Sequence, residues 1–206
     1  MNAMDSSARA LSFFFRDLVE KNNLDDFDSW FFYSGMMFGS EDKWWGEGGT
    51  RPAPHEGLDI CFYRNRQGGL GNLDEQSRIP AMFDGVVFEV SDDDYLGKSI
   101  FLRHGFRDSN GFFLHSVYAH VTPVEGLVRG AEVGQGDILA QVADIRQRNI
   151  ALPGHVHVSM VYLPENYPLD MLKWSILSMT YQARLVDPLA YLDCTYSVEP
   201  YQGSGV

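Results

Sequence analysis

From Arg51 onward the chain is written in short runs of β-branched and aromatic residues, each stopped by a turn signal. That pattern constrains the fold more than any other feature. Residues 86–90 read as a strand, Asp92 and its two following aspartates as a turn, and residues 99–103 as the returning strand. Residues 112–120 read as the next strand, and 127–128, 132–133 and 138–142 as short ones, punctuated by Gly126, Gly130, Gly134 and Gly136. Residues 155–162 form a last long strand, with Val156, Val158, Met160 and Tyr162 on one face because side chains alternate along a strand. The expected class is therefore mainly β and antiparallel.

The first 50 residues differ. Leu11, Phe14, Phe15, Leu18 and Val19 recur at helical spacing, which predicts an amphipathic helix over 7–21, capped by Ser6 or Ser7 and ended at Asn22-Asn23. Its apolar stripe reads as a docking face for the main domain. Residues 24–50 are rich in aromatic residues and glycine and read as a segment wrapped on that domain. The expected organisation is a helical and aromatic segment over 1–50, a β domain over 51–195 and a tail over 196–206. Residues 168–180 read as a short helix or a decorated loop.

With 206 residues the chain can bury one sizeable core. The net charge of −12, with only four lysines, leaves no basic footprint for nucleic acid, and an anionic membrane surface is a poor partner for the same reason. No run approaches the roughly 18 apolar residues of a membrane span. The apolar stretch over residues 11–15 is too short for a signal peptide. Cys61 reads as a small core residue, with a Cys61–Cys194 bridge as the alternative; two cysteines are not a disulfide framework.

Four of the six histidines fall in three short motifs: His55-Glu56-Gly57-Leu58-Asp59, Tyr118-Ala119-His120 and Gly154-His155-Val156-His157. Imidazole and carboxylate form the usual zinc ligand set and are common general bases. In a strand His155 and His157 face the same side. Along an extended strand His55 and Asp59 would lie roughly 13 Å apart, so one metal can hold both only if the chain bends, and Gly57 is the natural hinge. A helical His-Glu-x-x-His site is ruled out by Asp59 in the fifth place and by Pro52, Pro54 and Gly57. Glu56 is then expected to face solvent. Strand alternation puts Ser116, Tyr118 and His120 on one face and His115 on the other. His104 reads as structural. Long loops over 63–77 and 144–153 flank whatever the motifs build.

Together these motifs resemble the HxGxD, YxH and HxH motifs of the M23 (lysostaphin-type, LytM) zinc metallopeptidases. Ala81, Asp84, Gly85 and Val87 are similar to the family's A-x-x-D-G-x-V strand entry, residues 130–142 to its glycine-rich hairpin and residues 186–192 to its closing segment. The resemblance covers roughly residues 51–192. It implies an antiparallel β metallopeptidase domain of the LytM-like, duplicated hybrid motif type. It implies His55, Asp59 and His157 as ligands of Zn2+, and His120 and His155 as uncoordinated catalytic histidines. It further implies an endopeptidase of peptidoglycan cross-links, with a peptidoglycan peptide as substrate and a periplasmic or extracellular place of action. Some members keep the fold and act as non-catalytic modules that regulate wall hydrolases, and retention of all five residues argues against that alternative. The sequence departs from the family where Arg146 to Pro153 replaces the usual Gly/Ser/Thr-rich run before HxH. A biotinyl- or lipoyl-type carrier would need a lysine at a hairpin tip, and none lies between Lys98 and Lys173.

Overall fold

The computed structural model describes residues 11–94, 96–148, 150, 152–168, 172 and 182–203. In chain order its elements are α1 (Phe14–Lys21), β1 (Phe27–Tyr33), β2 (Leu58–Ile60), β3 (Phe62–Asn65), β4 (Leu70–Asn72), β5 (Arg78–Pro80), β6 (Gly85–Asp94), β7 (Gly97–Arg107) and β8 (Phe113–Pro123). They continue with β9 (Glu132–Val133), β10 (Ile138–Val142), β11 (Val156–Leu163), β12 (Arg184–Val186) and β13 (Tyr196–Glu199). The chain is mainly β, as its turn-punctuated runs predict.

The larger sheet is built on the order β12-β11-β8-β7-β6-β9. β2 and β12 share one side of β11, where β2 pairs with Val156 to Val158 and β12 with Met160 to Tyr162. β8 changes partner along its length: it pairs with β11 as far as Ala119 and with β10 from Val121. A smaller sheet has the order β13-β1-β3-β4, in which β13 runs parallel to β1. Residues 196–199, read as part of a tail, thus form a paired strand.

The helix is shorter than its periodicity predicts. It begins at Phe14, and Leu11 lies outside it with 57% of its surface exposed. The cause is Ser12: its N–H donates to Tyr191 O at 2.8 Å, its hydroxyl donates to Met82 O at 2.5 Å and accepts the N–H of Phe14 at 3.1 Å. The backbone is thereby tied to the domain before it can turn helical. The caps expected at Ser6 or Ser7 lie outside the described residues. Asn22 caps the C-terminal end, and its side chain clamps β5, accepting the N–H of Arg78 at 2.7 Å and donating to its carbonyl at 2.9 Å.

Most of the predicted docking stripe is buried: Phe14, Phe15 and Leu18 enter the main core with Trp30, Phe32 and Tyr118, Val19 packs against it partly buried, and Leu11 stays exposed. Val156, Val158 and Met160 of β11 line that same core. The opposite face of the sheet carries a second cluster of Phe101, Val117, Val161, Leu163, Tyr167 and Leu172. Cys61 is buried and Cys194 partly so, and both are free thiols, so the bridge is not made. Most of the stretch over 168–180, read as a helix or a decorated loop, lies outside the described residues.

Candidate metal centre

The site is assembled at the paired ends of β2 and β11. Asp59 lies directly across from His157 in the antiparallel register, so their side chains share one face. His155 ends the loop that enters β11, and its parity places it on that face too. The chain bends at Gly57, which brings His55 back onto Asp59. Glycine is required there for space. A β-carbon on Gly57 would stand against the carbonyl of Val158, 2.6 Å from Nε2 of His157 and 2.8 Å from the Ser159 hydroxyl. Glu56 is half-buried rather than solvent-facing.

Three atoms converge. Oδ1 of Asp59 is 2.9 Å from Nδ1 of His157 and 3.2 Å from Nε2 of His55, and the two ring nitrogens are 3.1 Å apart. His55 donates its Nδ1–H to the carbonyl of Met37 at 3.1 Å, so its Nε2 presents a lone pair. The Ser159 hydroxyl, 2.8 Å from Nε2 of His157, can accept that ring's N–H and leave Nδ1 bare. With both nitrogens bare, they and the carboxylate oxygen would repel one another, so the trio needs either a proton or a metal cation among its atoms. Ligands at tetrahedral zinc distances stand roughly 3.3 Å apart, close to what these residues present. The residues present therefore fit zinc, with His55, Asp59 and His157 as the group able to hold it.

Burial opposes ionisation of Asp59, yet positive charge on His55 and hydrogen bonds donated to Oδ1 by His157 and His55 overcome it, so that with protons in place of a metal the carboxyl is held well below its usual range. The other carboxylate oxygen, Oδ2, accepts the indole N–H of Trp44 at 2.6 Å, and Nη2 of Arg51 lies 3.4 Å away.

His155 and His120 stand beside this trio. His155 donates its Nδ1–H to the carbonyl of Pro153 at 3.0 Å, which turns a bare Nε2 toward Asp59, 3.8 Å from Oδ1. Burial pushes His155 down to about 4, partly offset by the charge of Asp59. The His120 ring packs 4.7 Å from that of His155 and 5.8 Å from that of His157, measured between centroids. All five side chains are buried, in residues between 1% and 6% exposed.

The route by which His120 reaches the site corrects the strand-parity expectation. Lys98 pairs with Val121 and Ile100 with Tyr118, so β8 carries one residue more than β7 over this stretch. That is a β-bulge, and His120 sits in it with φ of 63°. Tyr118 pairs with Val158 and points into the main core, where its hydroxyl accepts the N–H of Met82 at 2.8 Å. Without the bulge His120 would follow it; with the bulge it turns to the face of His155 and His157. The same correction moves His115 onto the site face, but four residues from Ala119, roughly 13 Å along the strand. His104 is structural: it donates its Nδ1–H to Asp84 O at 2.9 Å and lies 2.8 Å from the Ser116 hydroxyl.

Trp44, Arg51 and Ser159 were not singled out by the motifs. Strand alternation could have placed Ser159 beside His157. No local pattern announces Trp44 or Arg51.

Residues 54–170 match the profile described as peptidase family M23. The chain belongs to that family. No curated protein matches it. Among solved structures, lysostaphin is similar with a TM-score of 0.44 at 14% identity, over 84% of this chain and 60% of that one. CbpA of L. salivarius REN has a TM-score of 0.44 at 17% identity, over 79% of this chain and 93% of that one. The catalytic domain of the prophage-encoded M23 protein EnpA from Enterococcus faecalis, in an alanine-to-histidine mutant form, has a TM-score of 0.39 at 20% identity, over 65% and 90%. The chain thus spans less than two thirds of the lysostaphin chain. No helix among the described residues is long and apolar enough to cross a membrane.

Proposed function

We propose that this M23 chain is a zinc-dependent endopeptidase that hydrolyses peptide bonds in peptidoglycan cross-links, with His55, Asp59 and His157 as ligands and His120 and His155 as catalytic residues. The observation that carries the reading is the convergence of three potential ligand atoms within 2.9–3.2 Å, beside two further imidazoles that are not among them.

A zinc ion held by these residues supplies Lewis acidity toward a scissile carbonyl and makes a water molecule more acidic. His155 is poised to accept a proton at Nε2, because its Nδ1–H is committed to Pro153 O. His120 is close enough to share that work or to donate a hydrogen bond to the developing oxyanion. The dry surroundings strengthen each of these polar contacts. The cell-wall substrate rests on the family.

The test is digestion of purified peptidoglycan with mass analysis of the products, run beside metal analysis and chelator treatment. Stoichiometric zinc, new peptide ends and loss of cleavage after chelation are expected. A protein without stoichiometric zinc that is inactive on every wall preparation would sink the enzyme reading and leave the non-catalytic module.

A further inference from the structure

The Asp59 carboxylate is divided between two settings. Oδ1 faces the imidazoles of His157 and His55 at 2.9 and 3.2 Å. Oδ2 points away from them and accepts Trp44 Nε1–H at 2.6 Å, with Nη2 of Arg51 at 3.4 Å. Building on the zinc reading above, we propose that Trp44 and Arg51 are positioning residues that hold Oδ2 out of the metal pocket, so that Asp59 offers zinc one oxygen only.

The physical reason is coordination number. A carboxylate free to rotate can bind through both oxygens, and its second oxygen would take the position that a catalytic site must keep open. Turning Oδ2 inward here would strand a buried indole N–H and separate a guanidinium from its partner, which a dry interior penalises. Both donors are themselves fixed. Trp44 is buried edge-on against His155, with centroids 5.2 Å apart, and packs on Phe62 and Trp45. Arg51 donates to Gly35 O at 2.7 Å and to Asp42 O at 3.0 Å, and lies 4.7 Å from the Trp45 ring centroid. Trp44 and Arg51 both precede the segment that matches the family, residues 54–170. The stretch ahead of the family core would thus complete the metal site rather than merely cover it.

The experiment uses the full chain and two variants, Trp44→Phe and Arg51→Met. Three quantities are read: the zinc dissociation constant by chelator competition, the visible spectrum of the Co2+-substituted protein, and the melting temperature without metal. Trp44→Phe should weaken zinc binding by about 10- to 100-fold. It should also replace the intense bands of four-coordinate cobalt with the weaker bands of higher coordination. Arg51→Met should move both in the same direction by less. A purely structural role would lower the metal-free melting temperature and leave the cobalt spectrum unchanged. If Trp44→Phe does not fold, Arg51→Met carries the test by the same readouts. Variants with wild-type zinc affinity and a wild-type cobalt spectrum would overturn this inference alone. A wild-type chain that takes up no zinc would overturn the proposed function as well.

Discussion

Gly97 packs against the peptide that joins His120 to Val121: a β-carbon there would lie 2.9 Å from the amide nitrogen of Val121 and 3.0 Å from the carbonyl carbon of His120. The bulge that turns His120 into the site therefore depends on an absent side chain in the neighbouring strand. Gly97→Ala should displace His120 while leaving the three proposed ligands alone. Cleavage should fall on the order of 100-fold, since misplacement by about 1 Å costs that much, with zinc content unchanged. Activity per bound zinc is the measurement; equal loss of both would mean the damage is general.

His155 and His157 are neighbours on one face, and the proposed function gives them different duties. His157→Ala removes a proposed ligand and should lose the metal. His155→Ala should keep it while losing roughly 100- to 10,000-fold in turnover, the usual range for a general acid–base group. Metal analysis of both variants after dialysis decides the matter. Release of zinc by His155→Ala would make the ligand assignment wrong.

Gly57→Ala places a methyl group among the Val158 carbonyl, the His157 ring and the Ser159 hydroxyl. Backbone and a fixed imidazole cannot yield cheaply, so a loss of about 1–3 kcal/mol is expected, as for other overpacked sites. The midpoint of urea unfolding without metal reads it. Unchanged stability together with full zinc binding would show that the bend has slack.

His104 and His115 are buried away from the candidate metal centre, and burial pushes each from 6.5 down to about 4. Between those values the unfolded chain binds more protons than the folded one. Their contribution is intact above about pH 6.5 and is lost as pH falls toward about 4, by at most about 1.4 kcal/mol per pH unit for each histidine. Denaturation midpoints from pH 7 to 4.5 should fall accordingly. His115→Gln should flatten the slope, and an unchanged slope would count against this assignment.

Much of the centre is legible without coordinates. The period of two in a strand puts His155 and His157 on one face, and Gly57 marks where the chain must bend for His55 to meet Asp59. Turn signals every few residues give the antiparallel class. These features depend on neighbours in the chain, so local chemistry determines them.

Other features depend on partners that only the folded chain brings together. The end of β1 as a paired strand needs β13, more than 160 residues later. Helix α1 starts at Phe14 rather than earlier because Ser12 is tied to Tyr191 and Met82. The face of His120 is set by one extra residue in β8 relative to β7, and neither strand reveals that register alone. Trp44 and Arg51 meet the Asp59 carboxylate only after the aromatic segment has folded back over the sheet. Which residues can hold a metal is written in the chain itself, because ligand chemistry and strand alternation are local. Which oxygen of Asp59 faces the imidazoles, and which way His120 points, are settled only once the chain has folded, because both follow from tertiary contacts that no local pattern specifies.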